Sequence, residues 1–123
     1  MRSTNSKYGP CWYYGKDEFV GRSIHNYGEF SQVECDKIIE LAKGRGNCLD
    51  VGANIGYMTM ALLANGSSVI AIEPQPEIYD LLVKNTPNAI HLNCAFSNQK
   101  GTAKMPRIRY GAKGNYGGLG LGH

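Results

Sequence analysis

Two features of the chain place chemistry-bearing residues where a ligand can use them. The first is the loop Gly52-Ala53-Asn54-Ile55-Gly56, with Asp50 two residues ahead of it. A glycine-containing loop between a strand and a helix turns backbone N–H groups and the positive helix end toward a ligand. Gly52 and Gly56 remove side chains where another group approaches closely, and Asn54 tolerates left-handed backbone. The glycines stand four residues apart, not at the G-x-G-x-x-G spacing of the dinucleotide fingerprint. The second feature is Glu73, which closes an apolar run 17 residues after Gly56. At the carboxyl end of a neighbouring parallel strand, a carboxylate faces the same crevice and can accept hydrogen bonds from both hydroxyls of a ribose. Together the loop and the acid point to an adenosine-type ligand. Taken singly, each has a plainer reading: turn glycines without a ligand, and a solvated carboxylate capping the next helix.

The flanking elements are those that would position such a site. Asn47-Cys48-Leu49-Asp50-Val51 and Val69-Ile70-Ala71-Ile72 are short apolar runs, stopped by Gly52 and by Glu73-Pro74, and read as buried strands. Between them a helix is expected from Tyr57 to Ala64, ended at Asn65-Gly66. Pro76 suits the first turn of a further helix with Ile78, Leu81 and Leu82 on its inner face; Ala89 to Asn93 reads as a third strand. Upstream, Ser31-Gln32-Val33-Glu34 fits a capping box, and Cys35, Ile38, Ile39 and Ala42 form one apolar face ended by Gly44. Phe19 to Ile24 reads as a short strand, and residues 1–17, with Trp12-Tyr13-Tyr14, as an arm or edge hairpin whose aromatics pack. Strands alternating with helices imply an α/β fold with a parallel sheet and right-handed crossovers. The expected division is residues 1–30 as arm and lead-in segment, and 31–123 as the ligand-binding domain.

Composition excludes several classes. A chain of 123 residues with 42% hydrophobic and 19% charged residues is globular and one domain at most. No apolar run approaches a membrane span and the start lacks a signal-peptide core, which implies a soluble, cytoplasmic protein. Cys11, Cys35, Cys48 and Cys94 have neither metal-finger nor disulfide-framework spacing, so free packed thiols and no metal are expected. All ten acids lie at or before Asp80, whereas six basic residues from Lys84 to Lys113 follow it with no acid. That asymmetry is read as incidental and nucleic acid is not expected as a partner, although a polyanion-binding tail is the alternative. The glycine-rich end, GNYGGLGLGH, has no periodicity that closes a structure.

Asp50-Val51-Gly52-Ala53-Asn54-Ile55-Gly56-Tyr57 followed by Ala71-Ile72-Glu73-Pro74 resembles the FkbM-type S-adenosylmethionine-dependent methyltransferases, with their D-V-G-A-N-x-G motif and later E-P. Softer similarities are Asp17 to Gly21, Gly28-Glu29-Phe30, Glu34, Cys94 to Ser97, Gly101 and Asn115 to Gly118. The resemblance implies a Rossmann-like class I methyltransferase sheet with S-adenosyl-L-methionine as cofactor. Asp50, Gly52, Ala53, Asn54 and Gly56 would belong to the cofactor loop, which holds the methionine portion. Glu73 would hold the ribose, and Cys94 and Ala95 would border the adenine. The family's later K-x-D-x-E-G-like strand has no counterpart here. The expected fold is therefore an incomplete sheet: three strands, two crossover helices and an N-terminal capped helix, as in a fragment.

Methyl transfer from a sulfonium is an in-line displacement governed by alignment, which can supply on the order of 7–11 kcal/mol. A hydroxyl acceptor would need a base, and none is assigned: His91 reads as structural, His25 as a weak candidate, and His123 has no role. The leading expectation is O-methylation of a sugar or another small hydroxylated metabolite. The alternatives are a non-catalytic cofactor-binding domain and half of an NAD(P)-binding oxidoreductase.

Overall fold

A computed structural model describes residues 1–106 and 108–118. Along the chain, β1 (Arg2–Ser6) and β2 (Gly9–Tyr13) form an antiparallel hairpin, and the helices α1 (Val20–Tyr27) and α2 (Gln32–Ala42) follow. Then β3 (Asn47–Val51), α3 (Tyr57–Ala64), β4 (Ser68–Ile72), α4 (Pro76–Asn85) and β5 (Ile90–Leu92) alternate. The last three strands make a parallel sheet in the order β3-β4-β5, in the register Leu49–Ile70–Ile90 and Val51–Ile72–Leu92. The alternation expected from the apolar runs is present, and α4 buries Ile78, Leu81 and Leu82 as its spacing requires.

Two local expectations are corrected. Phe19 to Ile24 is not a strand, because Val20 onward is helical. The buried Asp17 carboxylate accepts the N–H groups of Phe19 (3.1 Å) and Gly21 (3.1 Å), satisfying donors that a helix start leaves orphaned. Val20 and Ile24, four residues apart, then bury one face, and Gly28 ends the helix in left-handed geometry (φ 70°). The capping box at Ser31 also fails to form. Ser31 is itself left-handed (φ 48°, ψ 46°), its side chain makes no cap bond, and its carbonyl accepts the Cys35 N–H at 3.0 Å. A capping residue needs extended backbone; the tight reversal between α1 and α2 denies it. Gly44 does take the left-handed conformation expected of it (φ 76°).

One core spans both sides of residue 30. Cys11 and Tyr13 of the hairpin are buried with Ile24, Cys35, Ile55, Tyr57 and Leu81. Asn85 fixes the hairpin: its Oδ1 accepts the Trp12 N–H at 2.7 Å, and its Nδ2 donates to the carbonyls of Trp12 (2.9 Å) and Ile55 (2.7 Å). The Trp12-Tyr13-Tyr14 cluster packs, with Lys84 over the Trp12 ring and Tyr14 stacked on Tyr110.

Among the described residues, helices cover the sheet on one side only. Leu62 of α3 and Leu82 of α4 pack with Val69 and Ala71 on that side. The opposite side leaves Leu49, Val51, Ile70, Ile90 and Leu92 in solvent, with Leu49 54% and Ile90 62% exposed. The strands expected to be buried on both faces are thus half-exposed, because both crossover helices lie on the same face.

Candidate functional site

The site lies where β3 and β4 end. After Val51 the chain turns through Gly52 (φ 79°), and the N–H groups of Gly52 and Ala53 both donate to the Ile72 carbonyl at 2.9 Å. This ties the loop across the end of β4. Asn54 is left-handed (φ 53°); its N–H donates to Glu73 Oε2 at 2.9 Å and its Oδ1 accepts the Ile55 N–H at 2.8 Å. The Gly56 N–H donates to the Ala53 carbonyl at 2.9 Å. All five loop N–H groups therefore have partners within the protein. The expectation that they point at a ligand is corrected: the loop's own folding consumes them.

What the loop offers is space and negative charge. A Cβ at Gly52 would meet nothing within 4 Å. Beside it is a cavity of about 180 Å³ lined by Asp50, Gly52, Ala53, Asn54 and Ile55, and across from them by Phe30, Ser31, Glu34 and Tyr57. Among the described residues, no lysine, arginine or histidine lines it. Asp50 accepts a 2.6 Å hydrogen bond from the buried Thr59 hydroxyl, and burial raises its pKa against that bond.

Gly56 is not part of this wall. A Cβ there would lie 2.8 Å from Leu82 Cδ1 and 3.0 Å from Thr86 Cγ2, so its missing side chain lets α3 approach α4. Its expected place against the ligand is corrected to a packing role.

Glu73 is 3% exposed, so it is not a solvated carboxylate. Its Oε1 accepts the Gln75 N–H at 3.0 Å while Oε2 holds Asn54. Burial raises its pKa; the hydrogen bonds from Gln75 and Asn54 pull it back, and the nearby Asp50 charge adds to the rise. Asn93 joins β5 to this corner by donating to the Glu73 and Pro74 carbonyls at 2.8 and 3.2 Å. Cys94 and Ala95 follow directly, both exposed at the sheet's end and outside the cavity wall.

The histidines serve elsewhere. His25 is bonded to the Tyr13 hydroxyl at 2.5 Å, and His91 Nε2 to Thr86 at 2.9 Å. His123 and Arg107 lie outside the described residues. Among the described residues no cluster of His, Cys, Asp and Glu could hold a metal ion, and no helix is long and apolar enough to cross a membrane.

Sequence reasoning left Phe30, Ser31, Glu34 and Tyr57 to helix boundaries and family likeness, although all four line the cavity. Spacing from the glycine loop does not reveal them, since α2 reaches the loop only through tertiary packing.

The family described as the Methyltransferase FkbM domain matches residues 50–120, more than half of the chain. The chain belongs to the FkbM methyltransferase domain family. No curated protein and no solved structure matches it.

Proposed function

We propose that this chain is the cofactor-binding part of an S-adenosylmethionine-dependent methyltransferase, with a Rossmann-like sheet and a small hydroxylated acceptor such as a sugar. The observation that carries the reading is the chemistry of the cavity at the loop. The five N–H groups of the loop are already bonded, and among the described residues the cavity wall carries Asp50 and Glu34 with no cation. A dinucleotide's pyrophosphate needs free N–H donors or positive charge. The methionine end of S-adenosylmethionine, whose ammonium and sulfonium outweigh its one carboxylate, instead suits a wall with two acids. The open space at Gly52 would receive the methionine portion, with Ala53 and Asn54 as its floor. Glu73, beside the loop, would meet the ribose with the carboxylate lone pairs that its bonds to Asn54 and Gln75 leave free, and Cys94 and Ala95 would border the adenine.

When bound, S-adenosylmethionine supplies the electrophilic methyl group. The chain's own residues bind and orient: the carboxylates hold the cationic end, and Phe30 and Tyr57 shield it from water. Family membership supports a larger sheet than the three strands described, and the bare side, which parallel sheets normally cover with helices, supports a second covering layer. Cytoplasmic location and the absence of a nucleic-acid partner belong to the same reading.

Calorimetric titration with S-adenosylhomocysteine and, separately, NAD tests it. Binding of the first without the second is expected; NAD binding alone would overturn the assignment.

A further inference from the structure

We propose that Gln75 is a positioning residue for the ribose acceptor: its side chain ties the segment from Tyr110 to Tyr116 over Glu73, so that the carboxylate's orientation and the closure of that segment are set together. This inference rests on the reading of Glu73 as the ribose acceptor.

Gln75 is buried at the junction of β4 and α4, two residues beyond Glu73. Its backbone N–H donates to Glu73 Oε1 at 3.0 Å. Its side-chain amide works in the other direction along the chain. Nε2 donates to the Tyr116 carbonyl at 3.0 Å, and Oε1 accepts the Tyr110 hydroxyl at 3.3 Å. One residue thus touches the acid and, at two points, a segment some 40 residues away in sequence.

That segment is itself built to stay closed. Tyr116 is 2% exposed; its hydroxyl donates to the carbonyls of Tyr110 and Ala112, and its ring lies edge-on to Tyr110. Gly114 exchanges backbone hydrogen bonds with Lys16 and Glu18. Gly117 reaches the glycine loop, where an added Cβ would collide with the Asn54 side-chain amide. The chain from Tyr110 to Gly117 therefore meets both residues whose N–H groups bond the Glu73 carboxylate. A buried glutamine with both ends of its amide paired cannot rotate without leaving polar groups unsatisfied. Packing alone would be met by an apolar side chain of the same size; the two oppositely directed bonds require an amide.

The test compares two ligands, S-adenosylhomocysteine and its 2′,3′-dideoxyribose analogue, by calorimetry on the full chain. Wild type should prefer the ribose form by about tenfold or more, the value of one charge-assisted hydrogen bond. Gln75→Met keeps the volume and removes the bonds. It should cut that preference about threefold or more and leave affinity for the dideoxy analogue nearly unchanged. A purely structural role would weaken both ligands equally, and an unchanged preference in Gln75→Met overturns the proposal. If that variant does not fold, Tyr110→Phe, which removes only the hydroxyl on Gln75 Oε1, must lower the preference in the same sense or the proposal falls. Glu73→Ala separates the two levels. Loss of preference in Glu73→Ala but not in Gln75→Met overturns this inference alone. No preference in wild type overturns the ribose reading and this inference with it.

Discussion

The Asn54 N–H donates to Glu73 Oε2 at 2.9 Å, so the glycine loop and the acid 19 residues beyond Asn54 form one unit. Loop shape and carboxylate position cannot vary separately. Hydrogen bonds to a charged acceptor are worth about 1.5–3 kcal/mol each, and Glu73 accepts two from backbone donors. Glu73→Ala should therefore lower both the melting temperature and the affinity for S-adenosylhomocysteine, the latter by about 10- to 100-fold. Glu73→Gln keeps one acceptor and should fall between. A drop in melting temperature with unchanged affinity would make Glu73 a structural brace only.

The two loop glycines should respond in opposite ways. Gly52 faces open space beside the cavity, so Gly52→Val fills the ligand's volume. Its positive φ costs about 1–2 kcal/mol, and the main expected effect is lost ligand binding in a folded protein. Gly56→Ala forces a methyl group against Leu82 and Thr86. Overpacking of that kind costs about 1–3 kcal/mol, and the expected effect is lower thermal stability. Melting curves and calorimetry on the pair distinguish the roles; equal loss of affinity in folded forms of both variants would put Gly56 back at the ligand.

The buried carboxylates set a pH dependence with a definite sign. Asp50 and Glu73 are raised above ordinary values of 3.8 and 4.5, chiefly by burial. The folded state therefore holds their protons more tightly than the unfolded chain does. Their favourable contribution is complete below the ordinary values and is lost as pH rises through the raised ones. Relative to Glu73→Gln, which stays neutral, wild type should lose melting temperature as pH climbs above 4.5. A difference that is flat across that window would contradict the burial of a charged group.

Thiol reactivity should follow burial. Cys11 and Cys35 are buried, with pKa pushed up to about 12 and about 11, whereas Cys94 is exposed. Only thiolates react rapidly. A disulfide reagent near neutral pH should modify Cys94 first and leave Cys11 and Cys35 unmodified until the protein unfolds, as mass mapping would show.

Much of the sheet was legible because apolar runs stopped by Gly52, Asn65-Gly66 and Glu73-Pro74 leave few alternatives for β3, α3 and β4. The helix α1 was not. Val20 and Gly21 have strand-like or weak helix character, and the information lay in Asp17, whose carboxylate reaches forward to two N–H groups. Ser31 failed as a cap because a local motif says nothing about the reversal that the preceding helix imposes. Gly56 was legible as a glycine but not in its purpose, since its neighbours Leu82 and Thr86 lie a whole strand and helix away. The position of Gln75 after Pro74 carries no motif at all, and only the return of Tyr110 and Tyr116 gives it partners.

The uncovered side of the sheet also bears on how the chain unfolds. Denaturant sensitivity and the heat capacity of unfolding both scale with the surface newly exposed. Leu49, Ile70 and Ile90 already meet water in the folded state and contribute little to either. This chain should have a smaller denaturant slope and a flatter temperature profile of stability than a fully covered α/β domain of equal length. A partner that seals the stripe would raise both quantities without touching a single residue of the ligand site.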